Sequence, residues 1–202
     1  MKGQTIVNWD ERFSEPGYTY GTEPNDFLAS VASKIPKGKI LSLAEGEGRN
    51  AVFLASLGHD VTAVDSSAVG LGKACELAAT HHVPLTTVVA DLSDFVILPQ
   101  QWDGIVSCYC HLPPPLRRSI HRAAVAGLKP GGIFVLEAFS KKQLEYDTGG
   151  PKSLDMLMSL DELQQELAGM RLDHAVELER NVVEGHGHTG LAAVVQIFAV
   201  KP

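Results

Sequence analysis

The stretch KILSLAEGEGRNAVFLASLGHDVTAVD, residues 39–65, reads as a strand, a glycine-containing loop, a helix and a second strand that ends in an acid. β-Branched and leucine-rich runs at 39–44 and 60–65 flank a helical segment at 48–57, so the two strands are joined by a crossover and run parallel. The alternation continues outward, with strands expected at 85–90, 103–108 and 132–138 and helices at 68–81, 116–128 and 160–168. The run IFVLEAF (133–139) suits a strand covered on both faces. Near the end the pattern changes: 172–183 and 191–200 are two strands joined by the turn segment EGHGHTG, a terminal antiparallel hairpin. Upstream, Thr22, Glu23 and Pro24 start a helix over 25–33, and residues 1–22, with Trp9, Phe13, Tyr18 and Tyr20, form an aromatic arm that could lie over the core.

A chain of 202 residues with 45% hydrophobic content supports one sizeable core, so a single domain over 1–202 is expected. Its parts are an arm and helix (1–37), a central core (38–139) and a loop, helix and hairpin (140–202). No apolar run approaches the roughly 20 residues of a membrane span, and the first dozen residues have no signal-peptide pattern. Cys75, Cys108 and Cys110 are an odd set that fits a reducing compartment, so no disulfide and a cytoplasmic location are expected. A formal net charge of −7 repels a phosphate backbone, and the basic gatherings at 34–39 and 117–122 are short and read as solvated faces. Neither nucleic acid nor membrane is expected as a partner.

The chemistry concentrates where the first strand meets its helix. Ala44-Glu45-Gly46-Glu47-Gly48-Arg49-Asn50 opens directly into a helix N-terminus, where glycine admits a ligand to the backbone and free N–H groups face it. Asp65, 19 residues after Gly46 at the end of the second strand, is placed to accept hydrogen bonds from both hydroxyls of a ribose. Loop and acid together serve either a dinucleotide or S-adenosylmethionine (SAM). The carboxylates of Glu45 and Glu47 disfavour a pyrophosphate and favour a cationic sulfonium ligand. Only about 60 residues follow the fifth strand, too few for the substrate domain that nicotinamide enzymes carry. A small NAD(P)-dependent oxidoreductase is therefore the weaker alternative.

These residues, with WDERF at 9–13, YTYGTEPNDFL at 18–28 and Leu128-Lys129-Pro130-Gly131-Gly132 before the fifth strand, resemble the class I SAM-dependent methyltransferases, and within them the tellurite-resistance type. The resemblance implies a Rossmann-like, doubly wound α/β sheet of seven strands, mostly parallel with the last antiparallel, and helices on both faces. It implies SAM as cofactor, S-adenosylhomocysteine as product and a small-molecule methyl acceptor. By position, Ala44, Glu45, Gly46, Glu47, Gly48 and Asn50 would line the methionine part of the cofactor. Asp65, with Ser66 and Ser67, would hold the ribose, Asp91 and Leu92 the adenine, and Cys108 and Tyr109 the side next to the methyl group. Ser42, Ala44 and Glu45 depart from the family's acid, glycine and small residue, which leaves open a SAM-binding protein of reduced turnover acting as a sensor or partner.

Methyl transfer from an activated sulfonium asks chiefly for alignment and exclusion of water. Where the acceptor carries a proton, His111, His188 and Tyr20 are the candidates to take it. His111 follows the fourth strand, while His186 and His188 lie in the hairpin turn; a solvated turn is the plain reading for both. Tyr18, Tyr20 and Trp9 could lid a sulfonium, since an aromatic face attracts a cation within about 6 Å. Gly149-Gly150-Pro151 belongs to a loop of lid length. Cys108-Tyr109-Cys110-His111 offers zinc-type ligands, but no second Cys pair exists and no metal is expected.

Overall fold

The computed structural model describes residues 8–202, so the first seven residues of the expected arm lie outside the described residues. Strands β1 (Lys39–Leu43), β2 (Asp60–Asp65), β3 (Thr86–Val89), β4 (Trp102–Cys108), β5 (Leu128–Phe139), β6 (Arg171–Glu184) and β7 (His188–Val200) form one sheet in the order β3-β2-β1-β4-β5-β7-β6. The pairs among β1 to β5 are parallel, whereas β7 is inserted antiparallel between β5 and β6. The chain order reverses between β1 and β4, and the carboxyl ends of these strands open the crevice in which such sheets hold ligands.

Helices α1 (Trp9–Phe13), α2 (Asp26–Val31), α3 (Arg49–Ser56), α4 (Ala68–Thr80), α5 (Pro114–Gly127) and α6 (Leu160–Glu166) complete the chain. Their starts follow local chemistry. The Asn25 side chain accepts from Leu28 N–H at α2, the Ser67 side chain from Gly70 N–H at α4, and proline occupies the first turn of α5. Successive residues of the central strands feed opposite cores. Leu41, Leu43, Ile105, Phe134 and Leu136 pack on one face; Ile40, Val106, Ile133 and Val135 pack on the other. A strand buried on both sides needs apolar side chains at every position, which explains the unbroken runs.

Three expectations need correction. β6 and β7 extend further than expected, pairing down to Glu184 opposite His188, so the turn shrinks to 185–187 and His188 is a buried strand residue. β5 starts at Leu128, paired with Trp102, and the Gly131-Gly132 segment takes up a register shift inside the pairing. Arg117 does not belong to a solvated face. It is buried between α5 and α6, where its guanidinium bonds Glu166 at 2.9 and 3.1 Å and the Leu157 carbonyl at 3.3 Å.

Candidate active site

Glu45 turns inward. One carboxylate oxygen accepts from Asn50 N–H at 3.1 Å and Ala51 N–H at 2.9 Å, and the other accepts from the Ser42 hydroxyl. A buried carboxylate thus caps the amino end of α3 as an N-cap side chain would. Glu47 is likewise committed, accepting from Thr19 N–H at 2.7 Å and Lys73 Nζ at 2.9 Å. The expectation that both carboxylates face a ligand is therefore corrected. The bias against a pyrophosphate survives for a different reason: the α3 N–H groups that would cradle it are already taken by Glu45. Ser42 and Glu45 are one hydrogen-bonded pair, so the two departures compensate each other. Ala44 adopts φ +49°, a left-handed conformation that a side chain makes costly. Gly48, at φ +96°, lets α3 approach α4 so closely that a Cβ there would sit 2.6 Å from Ala74 Cα.

Asp65 reaches back to the same loop. One of its oxygens accepts from Gly46 N–H and the other from Ser67 N–H, both at 2.8 Å. Burial raises its pKa, opposed by those main-chain N–H donors. Ser67 is buried, with its hydroxyl bonded to Asp10, while Ser66 is exposed. Asn50 Oδ1 accepts from Asn25 N–H at 2.9 Å and so holds the start of α2 rather than facing open space. Asp91 is exposed and closes a turn by accepting from Ser93 N–H at 2.7 Å; Leu92 is buried in the core beside it. The arm crosses this region. Phe13 is buried against Gly46 and Gly70, with its ring 3.0 Å from where a Cβ on Gly46 would lie.

Beyond β4 stands a wall of aromatic rings. Tyr20 from the arm, Tyr109 after β4 and Phe139 at the end of β5 surround His188, with centroid separations of 4.5, 4.7 and 4.9 Å. Tyr109, at φ +53°, donates its hydroxyl to Glu137 at 3.0 Å. Glu137 is fully buried and also accepts from Asn25 Nδ2 at 2.7 Å, Arg180 Nη2 at 2.6 Å and the Gln196 amide. Glu184 accepts from Asn25 Nδ2 at 2.9 Å and Arg49 Nη2 at 2.8 Å. Sequence reading missed Asn25, Arg49, Glu137 and Arg180. Glu137 was findable as a lone acid inside an apolar central strand, where it must be paired.

The three proton-transfer candidates separate. His111 accepts from Phe139 N–H at Nε2 (3.3 Å) and, with Nδ1 as the remaining donor, bonds the Met156 carbonyl at 2.9 Å. Both nitrogens are occupied and burial pulls its pKa down to about 4, so it bridges two loops instead of taking a proton. His188 and Tyr20 adjoin one another at the aromatic wall. Cys108 and Cys110 pack into cores on opposite faces of the sheet.

The donor set fits SAM. Asp65 is held by two main-chain N–H groups and keeps a lone pair on each oxygen for a diol, beside a loop whose glycines leave the backbone accessible. A dinucleotide does not fit without displacing Glu45 from α3.

Residues 40–132 match the family model described as a methyltransferase domain. Over 90 residues the chain is 32% identical to carboxy-S-adenosyl-L-methionine synthase of Trichlorobacter lovleyi, covering 42% of this chain and 37% of that protein. The chain thus spans about a third of the length of that curated relative. Among solved structures, one described as converting a disulfide bond into a thioacetal group during echinomycin biosynthesis superposes with TM-score 0.75 at 18% identity, over 95% of this chain and 87% of that one. TehB from Haemophilus influenzae superposes with TM-score 0.73 at 19% identity, over 96% of this chain and 66% of that one. Residues 40–132 thus resemble a methyltransferase domain, and the described chain has the Rossmann-like fold of the SAM-dependent methyltransferases, a fold that TehB shares.

Proposed function

We propose that this protein transfers a methyl group from SAM to a small-molecule acceptor in the cytoplasm, working as one domain. The observation that carries the reading is Glu45 on the amino end of α3, which withdraws the helix from phosphate binding and leaves an adenosyl ligand without a pyrophosphate as the fitting occupant. Asp65 holds the ribose, Asp91 and Leu92 receive the adenine, and the Ala44–Gly48 loop with Cys108 and Tyr109 receives the methionine part. Ser66 and Ser67 border the ribose side, and Glu45, Glu47 and Asn50 shape the loop from behind.

When bound, SAM supplies an activated methyl group on a sulfonium. The protein's task is to align the acceptor with it and keep water out. The arm serves this closure: Lys73 Nζ bonds the carbonyls of Glu15 and Gly17, and Thr19 is tied to both Glu47 and the hairpin residue Gly187. A small acceptor suits a site walled by packed rings, and the net charge of −7 speaks against a polyanionic partner. No described helix is long and apolar enough to cross a membrane.

Isothermal titration with SAM, S-adenosylhomocysteine and NADH tests the reading. Micromolar binding of an adenosyl ligand, about −8 kcal/mol, with no NADH binding is expected. Asp65→Ala should lose at least about tenfold in that affinity, corresponding to one charge-assisted contact of roughly 1.5–3 kcal/mol. NADH binding alone, or unchanged SAM affinity in the variant, would overturn the assignment.

A further inference from the structure

We propose that Glu184 and His188 form a carboxylate–imidazole pair that takes a proton from the methyl acceptor, so that the acceptor is a neutral O–H, N–H or S–H nucleophile and not a pre-formed oxyanion. The inference rests on the methyltransferase reading above and names its acceptor class.

The pair is built by the hairpin itself. Glu184 and His188 face each other directly across the last rung of the β6–β7 ladder, which puts both side chains on one face of the sheet. His188 is 8% exposed, and its Nδ1 is buried without a close hydrogen bond, 3.5 Å from Glu184 Oε2. Among the described residues nothing bonds Nε2, so one nitrogen looks toward a carboxylate and the other is available. The ring is fixed by Tyr20, Tyr109 and Phe139, and on its edge by Gly149, where a Cβ would fall 2.7 Å from Cδ2. Glu184 is fixed in turn by Arg49, the residue after the glycine loop, and by Asn25. The imidazole is thereby tied to the cofactor side of the crevice through Glu184 and Arg49.

The surroundings keep His188 neutral and Glu184 charged. Burial lowers the His188 pKa, Glu184 opposes that, and Arg49 and Arg12 add to the lowering. The groups facing it are Glu184 on β6, Arg49 on α3, Arg12 on α1, Tyr20 on the arm, Tyr109 after β4 and His111 beyond it. Glu184 is held down to about 2, against its burial, by His188, by the charge and hydrogen bond of Arg49 and by Asn25. A carboxylate on Nδ1 selects the tautomer with a proton there and a lone pair on Nε2. The Arg49 charge is already matched by Glu184. An acceptor arriving as an anion would therefore meet the Glu184 carboxylate in the pair, while Arg12, the facing cation with no carboxylate partner among the described residues, lies over the Tyr20 ring at 5.6 Å from its centroid.

In the step, the acceptor's X–H bond breaks and its proton passes to Nε2. The freed electron pair on X forms the bond to the methyl carbon while the carbon–sulfur bond breaks with its electrons on sulfur. The imidazolium then releases its proton to solvent. Glu184 is a positioning residue, acting through His188.

Nitrogen-15 NMR of the ligand-free protein, with Glu184→Gln and His188→Asn as variants, decides the pair without turnover. The expected result is a His188 proton on Nδ1 and a His188 pKa that falls in Glu184→Gln. A proton on Nε2, or a pKa indifferent to that substitution, overturns the pair. Release of S-adenosylhomocysteine is then followed with catechol, 2-mercaptoethanol, ethanolamine and selenite as probes. A protonated probe should be methylated with a rate rising through the His188 pKa, and His188→Asn should lower kcat by about 10²–10⁴ with SAM affinity unchanged. Glu184→Gln should shift that pH profile, and Glu184→Asp should restore part of it. Turnover of selenite alone, unaffected by His188→Asn, overturns the acceptor class. If no probe is methylated, the NMR result by itself upholds or overturns the pair; absence of SAM binding by the wild type would instead refute the methyltransferase reading.

Discussion

Replacing Glu45 with alanine removes the shared acceptor of three buried donors: the N–H groups of Asn50 and Ala51 and the hydroxyl of Ser42. Losing a helix N-cap costs about 1 kcal/mol, and each buried donor left without a partner adds about 1–3 kcal/mol. Relaxation and water entry return part of this, so a net loss of about 3 kcal/mol is expected, or roughly 6–12 °C in Tm for a chain of this size. Glu45→Gln keeps one oxygen for the two N–H groups and turns its amide toward the Ser42 hydroxyl, which can rotate to accept. Its stability relative to wild type should change with pH. Burial raises the Glu45 pKa in the folded state against the hydrogen bonds from Ser42 and Ala51 and the Arg49 charge. A carboxyl raised on folding contributes stability that is complete below its ordinary value of 4.5 and is lost as pH rises through its folded value. Glutamine has no such loss, so Glu45→Gln should gain on wild type as pH rises above about 4.5. Thermal melts by circular dichroism at successive pH values from below that point upward make the measurement. Pyrophosphate should raise the midpoint of Glu45→Ala, whose α3 amides are free, and leave wild type unmoved. An alanine variant within about 1 kcal/mol of wild type would refute Glu45 as the cap of α3, and a glutamine variant that falls behind as pH rises would refute the raised pKa.

Two further outcomes follow from the loop and the arm. Ala44→Gly relieves a left-handed φ of +49° and should raise the midpoint by roughly 1–4 °C, from about 0.5–1 kcal/mol; a lower midpoint in differential scanning calorimetry would count against strain at that position. Lys73→Met removes the three bonds from Nζ to Glu15, Gly17 and Glu47, and amide exchange over residues 13–20 should quicken about tenfold, with unchanged rates showing that the arm does not depend on this tie.

Short-range pattern carried much of the architecture. The strand–loop–helix–strand reading of 39–65, the parallel strands after it and the terminal hairpin all rest on spacing and turn chemistry within a dozen residues, and the observed elements fall within a few residues of those bounds. Alternate burial of Ile40, Leu41 and Leu43 on opposite faces needs only the two-residue period of a strand. What the pattern misjudged was extent: cross-strand pairing carried β6 and β7 to Glu184 and His188 because each rung adds hydrogen bonds until the 185–187 turn closes the ladder.

The partners of the charged side chains belong to the packed molecule. Glu45 and Glu47 were legible as acids in a glycine loop, yet whether they face a ligand, a helix end or a lysine depends on how α3, α4 and the arm converge. Arg49 meets Glu184 across 135 positions of chain, and Arg180 meets Glu137 across 43, distances over which local propensity carries no information. His111 and His188 looked alike as loop histidines, and the fold separated them by occupying both nitrogens of one and leaving one nitrogen of the other open. Periodicities, turns and the loop that a cofactor would approach were readable along the chain, because these are encoded by neighbours. Folding selected which polar groups answer one another, since a buried charge must find its partner wherever the packed elements bring one.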